Sequence, residues 1–113
     1  MFKNYLTYNL ALSFHRSCLI LAGLSTGSKD RLMQSSETMI HHFARAIHTI
    51  DVQEEAKNLY VTLTCLRDCK ETLDFEEVSA EGLHLQFQVL QARLEQLCLA
   101  VADKNHGQTR MLG

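Results

Sequence analysis

The chain has 113 residues, 46% of them apolar, which suits one domain with a single core and leaves no room for two. Eleven basic and thirteen acidic residues give a net charge of −2, which excludes the strongly basic kind of protein that coats nucleic acid with its whole surface. Proline is absent, and three stretches repeat apolar residues at alternating spacings of four and three, the period of helices packed side by side at shallow angles. The expected fold is all-α: an antiparallel four-helix bundle over residues 1–102, assembled as a homo-oligomer, followed by a flexible tail over 103–113.

The first helix is expected from about Phe2 to Leu24, closed by Leu24-Ser25-Thr26-Gly27-Ser28. Phe2, Leu6, Leu10 and Phe14 form one stripe and Tyr5, Tyr8, Leu12 and Leu19 another, so this helix is expected to be buried on two sides. The second runs from Ser28, read as its N-cap, to His48, with Leu32, Met39, Phe43, Ala46 and Ile50 as its apolar face. Asp51-Val52-Gln53-Glu54 has the spacing of a capping box and opens the third helix almost at once. Helices 2 and 3 are therefore antiparallel neighbours or one long bent helix. Val52, Ala56, Leu59, Leu63, Leu66 and Leu73 carry the third helix to about Asp74. An acidic connection follows, with Ser79 as a cap for the fourth helix, which uses Leu83, Phe87, Leu90, Leu94, Leu97 and Val101 and ends near Ala102. It too has a second stripe, Leu85, Val89, Ala92 and Leu99, and that surplus points to self-association.

Cys18, Cys65, Cys69 and Cys98 all fall inside helices, where free cysteine behaves as a small hydrophobe, so a reduced, cytoplasmic setting is expected. The apolar run from Cys18 to Leu24 is too short for a membrane span, and His15-Arg16 interrupts the longer stretch before it. Cys65 and Cys69 share a helix face and would need a histidine from elsewhere to bind a metal; no second pair stands at ligand spacing. Glu81 and His84 make one Glu-x-x-His where a di-iron bundle needs two, and no glycine-rich phosphate loop or Gly-x-Ser-x-Gly occurs. No catalytic residue, metal or cofactor is expected, and the chain reads as a non-enzyme.

Charge is unevenly spread. Residues 1–50 carry five bases and two acids, whereas residues 51–77 carry eight acids and three bases, so a basic side and an acidic side are expected. His41, His42, Arg45 and His48 form the richest polar cluster, and with Arg31 they make a candidate strip for phosphate, beside the alternative of a solvated helix face. Arg45 and His48 stand too close for the arginine and histidine spacing of a bundle nuclease, and His15 precedes Arg16 where the order should be reversed.

Three segments carry a family resemblance that spans residues 2–101. Phe2-Lys3-Asn4-Tyr5-Leu6-Thr7-Tyr8 opens the first helix, Asp30-Arg31-Leu32-Met33-Gln34-Ser35-Ser36-Glu37-Thr38-Met39-Ile40 begins the second, and Asn58-Leu59-Tyr60-Val61-Thr62-Leu63-Thr64-Cys65-Leu66-Arg67-Asp68-Cys69 fills the third. Together they resemble the four-helix proteins encoded in intervening sequences of ribosomal RNA genes, and the related accessory variability determinant proteins of diversity-generating retroelements. The chain lacks the proline before helix 2 and has His42-Phe43-Ala44-Arg45-Ala46 where intervening-sequence proteins carry an Asn-Ile-Ala-Glu-Gly-like stretch, which favours the retroelement branch. That resemblance implies a ring of five subunits that binds a reverse transcriptase and contacts RNA or DNA through basic residues, with no membrane partner. Arg16, Arg31, His41 and Arg45 are the expected phosphate contacts. The alternative is a structural or protein-binding bundle that never touches nucleic acid, with Glu54, Glu55, Asp68 and Glu71 as its partner face.

Overall fold

In the computed structural model the backbone is described for residues 4–112 and the side chains for residues 4–104; Phe2 and the side chains of most of the expected tail lie outside the described residues. Four helices follow one another, α1 (Tyr5–Leu19), α2 (Thr26–His48), α3 (Val52–Phe75) and α4 (Glu81–Leu112), with no strand among the described residues. Short connections make each helix antiparallel to the one before it. They pack in the cyclic order α1, α2, α3, α4 and back to α1, so the architecture is the expected all-α bundle. None of the helices is long and apolar enough, among the described residues, to cross a membrane.

The core is built by the periodic positions. Leu32, Met39, Phe43 and Ala46 of α2, Leu59, Leu63, Leu66, Cys69 and Leu73 of α3, and Leu83, Phe87, Leu90, Leu94 and Val101 of α4 are all buried. Phe14 of α1 meets Phe87 with ring centroids 6.5 Å apart, which ties the shortest helix to the longest. Ile50 departs from the expected face of α2: it lies in the connection after Thr49, where the backbone is extended, and is fully exposed.

α1 differs most from expectation. It stops at Leu19, because residues 20–25 turn through Gly23 at φ 83, a left-handed conformation that glycine takes without a steric penalty. Its buried seam is Thr7, Ala11, Phe14 and Cys18, which keeps only Phe14 from the two bulky stripes. Tyr5 and Leu6 are exposed and Tyr8, Leu10 and Leu12 flank the seam, so α1 is buried on one side only. Apart from Phe14, the seam is made of small side chains, and the other bulky residues of α1 lie at its margins or outside.

The caps also shift. Ser25, not Ser28, is the N-cap of α2, accepting from the Ser28 amide at 3.4 Å. Gly27 thus falls within the first helical turn. Asp51 caps α3 as expected, accepting from the Gln53 and Glu54 amides, but its own amide donates to Thr49 Oγ1 at 3.2 Å, so the reciprocal half of the capping box is replaced. α3 ends in a Schellman arrangement: the Val78 amide reaches back to the Leu73 carbonyl at 3.0 Å, and Glu77 takes the left-handed position at φ 53. α4 starts at Glu81, with the Ala80 carbonyl accepting from the His84 amide, so Ser79 stands outside the cap position. Its backbone continues as helix to Leu112.

Candidate nucleic-acid interface

α2 holds three of the four candidate phosphate contacts, and the bundle gives each a different environment. Arg31 is exposed but engaged: its guanidinium donates to the Asp68 carboxylate of α3 and also reaches Glu71 at 3.3 Å. Ser35, one turn further along α2, donates to the same Asp68. The hydrogen bond from Arg31 holds the Asp68 carboxyl below the usual carboxylate range, the Ser35 bond adds to this, and Arg31 is correspondingly raised.

About 21 Å further along the helix axis, Arg45 lines an open cleft of about 440 Å³ together with His48, Thr49, Glu54 and Asn58. The Arg45 guanidinium has no ion-pair or hydrogen-bond partner among the described residues. His41 is one turn before it, exposed, with its ring 5.8 Å from that of His42. Asn58 sits at the floor of the cleft, 6% exposed, and its amide nitrogen donates to the Glu54 carbonyl at 2.9 Å. Its oxygen is therefore left to accept from His42 Nδ1 at 2.8 Å, which fixes the proton of His42 on Nδ1.

Arg16 lies on α1 and is exposed. His15 beside it donates from Nδ1 to Ser36 Oγ at 2.7 Å, because Ser36 spends its own proton on the Met33 carbonyl. That bond sets Arg16 at the level of Ser36 along α2. The four candidates consequently form no single patch: His41 and Arg45 stand together, Arg31 is tied to α3, and Arg16 is on another helix.

Nor do the basic and acidic halves of the chain make opposite sides. α2 packs directly on α3, and the contacts of Arg31 with Asp68 and Glu71 cancel charge across that seam. Glu55, another acid of the expected partner face, is buried with its carboxylate 3.7 Å from Lys104 of α4.

Comparison with protein-family models, with characterised proteins and with solved structures finds no match for the chain.

Cys65 and Cys69 find no third metal-ligating partner, since no group of three His, Cys, Asp or Glu able to hold a metal occurs among the described residues. Burial pushes the Cys18 thiol up to about 12 and raises Cys69 as well, which keeps both protonated and unreactive. A polar clamp that residue types alone did not reveal joins α3 to α4. Lys70 donates to Asp74 at 2.6 Å, reaches His84 Nδ1 at 3.5 Å and lies 5.8 Å over the Phe87 ring, while His84 Nε2 donates to the Val78 carbonyl at 2.6 Å.

Proposed function

We propose that the chain is a non-enzymatic, homo-oligomeric helical adaptor that supports a reverse transcriptase and its template RNA or cDNA in mutagenic reverse transcription, in the manner of accessory variability determinant proteins. The observation that carries this reading is the outward stripe of α4, where Leu85 and Leu99 are 61% and 69% exposed with Val89 and Ala92 between them. Apolar residues at four positions of an outward stripe, interrupted by Gln96, on a helix already seated in a core are surplus to one subunit and suited to a second. Arg45 and His41 supply the phosphate contact, and a ring of five copies repeats that contact so that avidity offsets the low charge of each subunit. Arg16 is the auxiliary cation.

The decisive experiment is the mass of the purified protein by light scattering, with cell RNA left in and then removed. A discrete oligomer that retains RNA is the expected result; a monomer without RNA overturns the reading. Alanine at both Arg45 and His41 should release the RNA without changing the mass.

One observation favours a second reading, a protein-binding bundle with no nucleic-acid role. Arg31, at one end of the expected phosphate strip, spends its charge on Asp68 and Glu71. RNA binding that is absent or insensitive to salt would select this alternative.

A further inference from the structure

On the other side of α2 from the Arg45 cleft, a slot of about 190 Å³ opens between the first turns of α1 and the last turns of α2. Tyr5 and Tyr8 of α1 line it, with Ala44, Ile47 and His48 of α2. Tyr8 is set against Phe43 of the core, with ring centroids 5.9 Å apart, whereas Tyr5, one turn nearer the chain start, is 55% exposed. Ala44 is the small residue of the lining, and the space a larger side chain would take stays open. The volume is below the roughly 300–1,000 Å³ of sites that enclose a whole small molecule, so the slot suits one ring system of a larger ligand.

The rest of such a ligand meets charge. His48 lines both the slot and the cleft of about 440 Å³ that holds Arg45, so the two openings share one side chain. His41, Arg45 and His48 follow at spacings of four and three, which sets them on one exposed ridge of α2 about 10 Å long. The guanidinium of Arg45, at the middle of that ridge, has no ion-pair or hydrogen-bond partner among the described residues. Two carboxylates border the ridge, Glu37 a turn before His41 and Glu54 on the α3 side of the cleft, and neither lines the slot. An aromatic slot beside an uncompensated cation fits a ligand with a flat ring at one end and a negative group at the other.

We infer that the slot takes one unstacked base of a single-stranded nucleic acid, stacked on Tyr5, while the adjoining phosphates run along His41, Arg45 and His48. Every base has a π face, so aromatic slots hold single strands with little regard for sequence, and a duplex keeps its bases stacked and out of reach. RNA and DNA share both the ring and the phosphate. The inference rests on the reading of Arg45 and His41 as phosphate contacts, and it adds a base contact that phosphate recognition alone does not supply.

The test titrates fluorescein-labelled oligouridine, oligothymidine, an abasic strand of the same length and a duplex with the full chain, by fluorescence anisotropy at low salt. Both base-carrying strands should bind about tenfold more tightly than the abasic strand and the duplex. Tyr5→Ala should remove that advantage and leave the abasic strand and its salt dependence as they were. Ala44→Leu, which fills the slot with another good helix former, should do the same, and Tyr5→Phe should keep the advantage. Arg45→Ala should weaken base-carrying and abasic strands alike. Circular dichroism checks that each variant is folded. The chain has three tyrosines and no tryptophan, so stacking should also quench its intrinsic fluorescence with the base-carrying strands, and less so in Tyr5→Phe. Equal binding of base-carrying and abasic strands, preference for the duplex, or indifference to Tyr5→Ala and Ala44→Leu overturns the inference. So does an acidic phenylalanine-containing peptide that displaces the strands and is itself released by Ala44→Leu, which would make a protein segment the occupant. A chain that binds base-carrying and abasic strands equally keeps its phosphate contacts and loses the slot alone, whereas a chain that binds no strand overturns the adaptor reading with it.

Discussion

Asp68 accepts from Arg31 and Ser35 at once, so one carboxylate fastens α3 to two turns of α2. Its folded value is lower than its unfolded one. The stabilisation is therefore complete above the ordinary carboxylate range and is lost as pH falls through that range toward the folded value. The side chain is 31% exposed and Arg31 more so, which keeps the interaction at the modest scale of surface pairs. Asp68→Asn should lower the unfolding free energy by about 1 kcal/mol at neutral pH, and the difference from wild type should shrink near about pH 3. Urea unfolding at both pH values checks this; a difference that persists in acid would mean that packing, not charge, is what the substitution removes. The thiols divide just as sharply by environment. Cys18 and Cys69 are buried and held protonated, whereas Cys65 and Cys98 are half-buried, though burial raises them too. A disulfide reagent should titrate Cys65 and Cys98 in the native protein and reach Cys18 and Cys69 only after denaturation, with peptide mapping to show which sulfurs carry the label.

At the scale of the helices, the ends carry most of what is specific. Ser25 caps α2 with its hydroxyl oxygen and ties that end to Glu76, whose carboxyl it holds below the usual range. Ser25→Ala should cost about 1 to 2 kcal/mol, and Ser28→Ala less than about 0.5, a contrast that thermal melting of the two variants reads directly. Glu77→Gly should act in the opposite sense, gaining about 0.5 to 1 kcal/mol by relieving the left-handed backbone, as chemical denaturation would show. The helical periods of α2, α3 and α4 were legible because each buries one face against two neighbours, and burial imposes the spacing. The register of α2 on α3 was legible in principle too. With a tight join centred near residue 50, positions equidistant from it face each other, which brings Arg31 to Asp68 and His42 to Asn58. A strip read along α2 alone misses those partners, since they lie across the seam and far away in the chain. The seam of α1 was not legible: Thr7 and Ala11 are small, and an apolar count favours Leu6 and Tyr5, which face outward. The Ser28 cap failed for a related reason. Three candidate hydroxyls crowd the segment from Ser25 to Ser28, and only the backbone conformation, extended at Ser25, selects among them.

The whole molecule is an elongated body, 54 by 25 by 19 Å, and its longest helix carries the apolar surface that the core leaves unused. Leu85 and Leu99 are about 21 Å apart along α4, with Val89 and Ala92 on the same side and Gln96 the polar residue among them, so a partner helix laid against this stripe meets apolar side chains at its two ends and over its first two turns. Each of the two leucines is mostly exposed in the subunit, and burying one in an interface contributes about 1 to 2 kcal/mol. Leu85→Ser with Leu99→Ser should therefore weaken association by about 2 to 4 kcal/mol for each such stripe buried, roughly 30- to 1000-fold in the dissociation constant. Neither side chain belongs to the core, so the variant should keep the helical content and melting behaviour of a folded subunit. Light scattering across a dilution series separates the outcomes: a mass that falls toward one subunit while the helix signal holds places α4 at the interface, and an unchanged mass moves self-association to another face, with α1 and its exposed Tyr5 and Leu6 as the next surface to alter.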